Sequence, residues 1–95
     1  MNKLPAAHID ALVATLTFKF SRIEDSNTTV CAALLPGDFR VGLGDSACIN
    51  PENFDFETGK KYSKERAIEN ATNNLWQLEG YVLKTTGNLS EVLKP

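Results

Sequence analysis

The sequence predicts an α+β fold in which helices pack on one face of a small antiparallel sheet. Three observations support this: helical apolar spacing near the N-terminus, three short segments with strand-like patterns between positions 16 and 43, and a long helical pattern in the second half. Because 95 residues with 42% hydrophobic content can bury only one core, we predict a single domain over 1–95, with frayed ends at 1–4 and 86–95.

The first helix and the first strand are predicted from a change of period. Pro5 suits the first turn of a helix, and apolar residues then recur at helical spacing at Ile9, Leu12, Val13 and Leu16. From Leu16 onward the period becomes two, because Phe18 and Phe20 alternate with polar residues. The N-terminal helix therefore passes directly into a half-buried strand.

Two clusters of turn-forming residues divide the next segment into a meander. The polar cluster 24–27 precedes Thr28–Leu35, which is rich in β-branched and small apolar residues. Pro36, Gly37 and Asp38 then favour a second tight turn, after which Phe39 to about Leu43 reads as a third strand. The predicted sheet is thus a three-stranded antiparallel meander.

A polar loop is predicted to lead into a long helix. Residues 45–53 lack periodicity but hydrogen-bond locally, Asn53 or Asp55 can cap a helix, and Glu57 places negative charge in its first turn. The apolar face of this helix is predicted at Phe56, Ser63, Ala67, Ala71, Leu75 and Leu78. We expect Gly80 to end the helix and Tyr81–Leu83 to form a short C-terminal strand.

The composition narrows the function classes. The net charge is −2, with 10 basic against 12 acidic residues, so the excess of cations that drives nucleic-acid binding is absent. No apolar run approaches the roughly 20 residues that span a bilayer, and the N-terminus lacks a signal-peptide pattern. We therefore expect no membrane association, a cytosolic location, and free buried thiols at Cys31 and Cys48.

No catalytic or metal-binding pattern is evident. His8 is the one histidine, and we predict a surface or interface position for it. His8, Cys31 and Cys48 are too widely spaced in the sequence to match the short ligand spacings of zinc sites. Carboxylates at 52, 55 and 57 are better explained by helix capping and surface charge. We therefore expect neither an enzyme nor a cofactor.

Two groups of residues remain as candidates for binding. Lys60, Lys61, Lys64 and Arg66 lie within two helical turns near the helix N-terminus, where an anion or nucleotide can bind. The alternative is a solvated face in which Lys61 pairs with Glu57 and Glu65. The second group is aromatic and serves either as core or as a stacking surface; its members are Phe54, Phe56, Tyr62, Trp76 and Tyr81.

A family resemblance falls on the same half of the chain. It is carried by Gly44–Cys48, Pro51–Asp55, Glu57, Gly59, Ala67, Asn70–Ala71, Trp76, Glu79–Tyr81 and Leu83. This pattern resembles the small bacteriophage family named after gene product 49 of phage N-four and gene product 66 of phage Sf-six. The resemblance implies a phage accessory protein made in the cytoplasm of an infected bacterium.

Two main hypotheses about function follow, with a structural or assembly role as a third. In the first, a non-catalytic protein sequesters an anionic, nucleotide-like signal of host defence in a pocket between protomers. The residues assigned to that site are Ser46, Asn53, Lys60, Lys61, Lys64, Trp76 and Tyr81. In the second, the protein inhibits a host defence enzyme by surface contact. An exposed sheet edge and a small core also lead us to expect a homodimer or a larger assembly.

Overall fold

Three antiparallel strands form one sheet, and two helices pack on it. The computed structural model describes residues 3–95, with the elements α1 (Ala6–Val13), β1 (Thr17–Arg22), β2 (Thr28–Leu35), β3 (Phe39–Ala47), a 3-10 turn (Pro51–Asn53) and α2 (Phe56–Thr86). The strand order is β1-β2-β3, and both pairs are antiparallel. The predicted α+β fold and its meander are confirmed.

Alternation along β2 decides which face of the sheet is covered. Thr29, Cys31 and Ala33 are completely buried, whereas the residues between them are half-exposed. Side chains alternate across a strand, so α2 covers one face of the sheet and the other face is left open. Ile9, Leu12 and Leu16 from α1 and the segment after it complete the core on the covered face.

Helix α2 lies unusually close to β3 because both surfaces are built from small residues. Its buried positions recur every four residues, at Ser63, Ala67, Ala71 and Leu75. Opposite them, a Cβ atom at Gly42 would lie 2.6 Å from the backbone nitrogen of Ala71, and one at Gly44 would overlap the backbone of Ala67 and Ser63. The two glycines of β3 thus allow the helix backbone to rest on the strand.

The predicted end of α2 is wrong. The helix continues through Gly80 without a break, and the segment Tyr81–Leu83 is helical, so the short C-terminal strand is not present among the described residues. The helix ends where Gly87 adopts a left-handed conformation, with φ of 75°, and its N–H donates to the carbonyl of Leu83. Buried Leu83 continues the packed face beyond Gly80, and that burial outweighs the modest helix penalty of one glycine.

Other boundaries differ in smaller ways. Strand β3 extends to Ala47, beyond its predicted end near Leu43, because its residues pair with Thr28–Cys31 of β2. Leu78, predicted on the apolar face, is 47% exposed because it lines an open surface pocket beside Phe39 and Val41 of β3. No helix in residues 3–95 is long and apolar enough to cross a bilayer.

The segment after α2 turns back along the helix. Ser90 Oγ donates to the carboxylate of Glu79, and Val92 packs against the core. Fraying of 1–4 and 86–95 stays a prediction, and residues 1–2 lie outside the described part of the chain.

Candidate functional site

A shallow groove lined by lysines runs between α2 and β1. It has a volume of about 420 Å³ and is lined by Phe20, Glu57, Lys60, Lys61, Lys64, Glu65 and Ile68. We call this feature the lysine groove. It brings together the three lysines that the sequence assigns to a binding site, whereas Arg66 is exposed on α2 outside the groove.

Aromatic rings of β1 and α2 lie beside all three lysines, and the ring centroid of Tyr62 is 5.6 Å from Lys61 Nζ. Lys60 Nζ lies 4.8 Å from the ring centroid of Phe56 and 5.7 Å from that of Phe20, and Lys64 Nζ lies 4.8 Å from that of Phe18. A cation over an aromatic face is attracted by the ring quadrupole, and the lysine stem packs on the ring. The cationic rim of the groove is therefore partly pre-organised.

The ion pairs along this face differ from those predicted. Lys60 Nζ lies 3.4 Å from Glu57 Oε1, and within residues 3–95 neither Lys61 nor Lys64 lies within ion-pair distance of a carboxylate. The expected pairs of Lys61 with Glu57 and Glu65 are therefore not formed. Two of the three lysines keep their charge available for a partner.

Ser46 and Asn53 lie in a second pocket on the other side of the start of α2. This pocket has a volume of about 250 Å³, and its lining residues are Asn27, Ser46, Ala47, Cys48, Asn53, Phe54, Asp55, Thr58, Gly59 and Tyr62. Ser46 Oγ donates to the carbonyl of Gly59 at 2.9 Å. Asp55 accepts from the N–H of Glu57 and from the hydroxyl of Thr58, so it, and not Asn53, caps α2.

Trp76 and Tyr81 lie far from both pockets. At 1.5 Å per residue, Trp76 is about 24 Å along the α2 axis from Lys60, and Tyr81 about 31 Å. Their exposed fractions are 40% and 69%. The seven predicted site residues thus occupy three separate places on one chain, and a pocket that joins them requires a second protomer.

The two edges of the sheet are unequal. On β3, Asn70 Nδ2 donates to the carbonyl of Leu43 at 2.6 Å and Asn74 Nδ2 donates to that of Val41 at 2.8 Å, so α2 covers this edge. On β1, no such contact is present among the described residues. The open edge is the one beside the lysine groove.

Comparison with protein-family models identifies the family of the chain. The model of the Phage protein (N4 Gp49/phage Sf6 gene 66) family matches residues 4–86. The chain belongs to this family. No curated protein and no solved structure matches it. The match covers both helices and all three strands, which extends the resemblance beyond the second half of the chain.

The hydrogen bonds of Asn70 and Asn74 to the edge of β3 in this phage protein were not predicted from the sequence. Asn70 and Asn74 are four residues apart and flank the buried stripe at Ala67, Ala71 and Leu75. Asparagine is a poor helix former. Two asparagines four residues apart on a helix, beside a stripe of small residues, therefore indicate that their side chains contact the edge of a strand.

A buried polar cluster ties α1 to α2 and the C-terminal segment of the phage protein. His8, predicted at the surface or an interface, is buried, and its Nε2 lies 2.7 Å from Glu79 Oε1 and 3.3 Å from Ser90 Oγ. Both partners contact the same ring nitrogen, and Ser90 also donates to Glu79. In a serine–histidine–acid catalytic triad, the serine and the acid contact opposite nitrogens of the imidazole ring. This cluster does not have that geometry, and its hydrogen bonds instead link α1 to α2 and to the C-terminal segment.

The two thiols differ in their surroundings. Cys31 is completely buried under α2, and burial raises the pKa of its thiol, an effect that the nearby charge of Lys64 partly offsets. Cys48 is only half-buried, contrary to prediction, and its Sγ lies 3.0 Å from the carbonyl oxygen of Asn50. Both cysteines are free.

Proposed function

We propose that this phage protein is a non-catalytic accessory protein that binds a host protein, and that the target is an enzyme of host defence. The observation that carries the proposal is the lysine groove: three cations on an open surface, with apolar rings of β1 beneath them. Small-molecule sites usually enclose most of their ligand, whereas an open groove with a charged rim suits a macromolecular surface.

A capture experiment with host lysate tests this proposal. The tagged protein is incubated with lysate from which nucleotides have been removed by phosphatase and desalting. Wild type is compared with a variant that carries Lys60→Gln, Lys61→Gln and Lys64→Gln. A matched control carries Lys3→Gln, Lys84→Gln and Lys94→Gln, which removes the same charge elsewhere.

The proposal predicts one host protein in stoichiometric amount with the wild type and the control, and its loss with the groove variant. If the groove variant captures the same protein equally well, or if the wild type captures none, then the groove is not a protein-binding surface.

The concentration of lysines also supports a second candidate function, the sequestration of an anionic, nucleotide-like defence signal. Lys61 and Lys64 are free to contact phosphates. Stacking of a base on Trp76 or Tyr81 would require a pocket between protomers, because these residues are too far from the groove within one chain. Calorimetry with cyclic dinucleotides and cyclic ADP-ribose isomers tests this candidate, and no heat at high concentration would eliminate it.

Self-association stays a prediction, and the open face of the sheet favours it. Val30, Ala32 and Leu34 on β2 are half-exposed there, beside Leu43 of β3, which is 44% exposed. A second copy packed face to face would bury these side chains. Sedimentation equilibrium of the wild type and of Leu43→Glu tests this: a dimer that Leu43→Glu weakens is expected, and a wild-type monomer contradicts it.

A further inference from the structure

The outer edge of β1 offers unpaired backbone groups at known positions. The N–H of Ile23 donates to the carbonyl of Thr28 at 2.9 Å, next to the pair Arg22 and Thr29 in the β1–β2 register. Hydrogen-bonded and non-hydrogen-bonded rows alternate in an antiparallel pair, so Phe18, Phe20 and Arg22 direct their N–H and C=O groups away from β2. Within residues 3–95 no hydrogen bond outside the β1–β2 pairing reaches the backbone groups of Phe18 and Phe20.

We propose that β1 binds an extended, acidic segment of a partner protein, which adds to the sheet as a fourth strand. The inference rests on the proposed function and specifies the partner surface. Main-chain hydrogen bonds to the free edge supply the attachment, and side chains that alternate above and below the added strand supply the selectivity.

Charge complementarity identifies the occupant as acidic. On the α2 side of β1, the groove holds three lysines and two glutamates, a net charge of +1, and one of those glutamates is paired with Lys60. On β1 itself, Lys19 projects to the open face, because Phe20 beside it faces α2 and contacts Lys60. Arg22 also faces α2, but its guanidinium already stacks on Phe54 and its Nε donates to the carbonyl of Ser26. An added strand therefore has cations on both of its faces.

A second copy of β1 fits this edge poorly. Two-fold pairing of β1 with another β1 would place two lysine grooves side by side and bring the two Lys19 residues close together. Like charges across neighbouring strands are destabilising, and a lysine on an edge strand is a common protection against such pairing. Contrary to the expectation from the sequence, this edge therefore disfavours pairing with its own copy, and it favours a strand of opposite charge.

Synthetic peptides test the proposal with the intact protein. The probe is an eight-residue peptide with alternating glutamate and valine and blocked termini. One control replaces every glutamate by lysine. In a second type of control the sequence is kept, but alternate backbone nitrogens carry methyl groups, either on the peptide edge that faces β1 or on the opposite edge. Binding is followed by amide chemical shifts and by hydrogen exchange of ¹⁵N-labelled protein.

The acidic peptide is expected to slow exchange at the amides of Phe18 and Phe20, and methylation of the edge that faces β1 is expected to abolish binding. The double variant Lys60→Gln and Lys64→Gln should weaken binding by about tenfold, which corresponds to two partly exposed ion pairs. The matched variant Lys84→Gln and Lys94→Gln should bind as the wild type does.

Three outcomes would overturn the proposal: equal binding of the methylated and unmethylated peptides, equal binding of the glutamate and lysine peptides, or no protection of the β1 amides. Loss of a captured host protein in the lysine-groove variant, together with failure of the peptide, would reject strand addition and leave the proposed function standing. Peptide binding without any lysine-dependent host protein would reject the proposed function alone.

Discussion

Substitution of Gly44 by alanine should destabilise the fold strongly, because the new methyl group has no space. A Cβ atom there would overlap the backbone of Ala67 and Ser63, and backbone atoms of a helix cannot be moved aside by a change of rotamer. Overpacking of a closed core costs about 1–3 kcal/mol. Since α2 must shift as a whole and would weaken its contact with β3, we expect a loss near the upper end, about 3 kcal/mol.

Gly80→Ala provides the matched control, since the same methyl group is added where nothing lies within 4 Å. Gly80 is in the interior of α2, so alanine should stabilise the protein by up to about 1 kcal/mol. Urea unfolding followed by circular dichroism measures both changes, with a lower midpoint for Gly44→Ala by about 1 M or more. A Gly44→Ala variant within about 0.5 kcal/mol of wild type would refute the close approach of α2 to β3.

Three further predictions concern the cap, the covered edge and the thiols. Asp55→Ala should destabilise the protein by about 1 kcal/mol in the same urea assay, whereas Asp55→Ser, which can still cap α2, should retain most of the stability; equal losses would contradict the capping role. Asn70→Ala combined with Asn74→Ala should uncover two carbonyls of β3 and increase aggregation on heating, as measured by light scattering, and unchanged scattering would contradict edge protection. Iodoacetamide at pH 8 should alkylate Cys48 in the folded protein but Cys31 only in urea, because burial shields Cys31 and raises the pKa of its thiol. Mass spectrometry of the peptides measures alkylation at each cysteine, and rapid alkylation of Cys31 in the folded protein would refute its burial.

The sequence predicted the order and type of the elements well where a single period dominated. The β-branched and small apolar composition of Thr28–Leu35 and the turn-forming residues Pro36–Asp38 are local properties, and the strand and turn they predict agree with the structure. The capping of α2 near Asp55 and the charge of Glu57 in its first turn are equally local. These features follow from backbone sterics and from hydrogen bonds between near neighbours, which a sequence displays directly.

The prediction failed where packing decided between local alternatives. Gly80 is a valid stop signal by itself, but burial of Leu83 keeps the helix intact. His8 has polar character, yet Glu79 and Ser90, more than 70 residues away, supply the partners that allow its burial. In both cases the deciding contact lies far along the chain, and no local pattern reveals it.

For the candidate site, the sequence determined which residue types are present on α2, and the tertiary structure decided which side chains of β1 lie beside them. Helical spacing alone put Lys60 and Lys64 on one face of α2, and the tertiary structure added the aromatic rings of β1 beneath them. Spacing also shows that Trp76 lies several turns from the lysines. The inequality of the two sheet edges arises only when α2 lies across β3, because the amides that cover one edge are far in sequence from the carbonyls they bind.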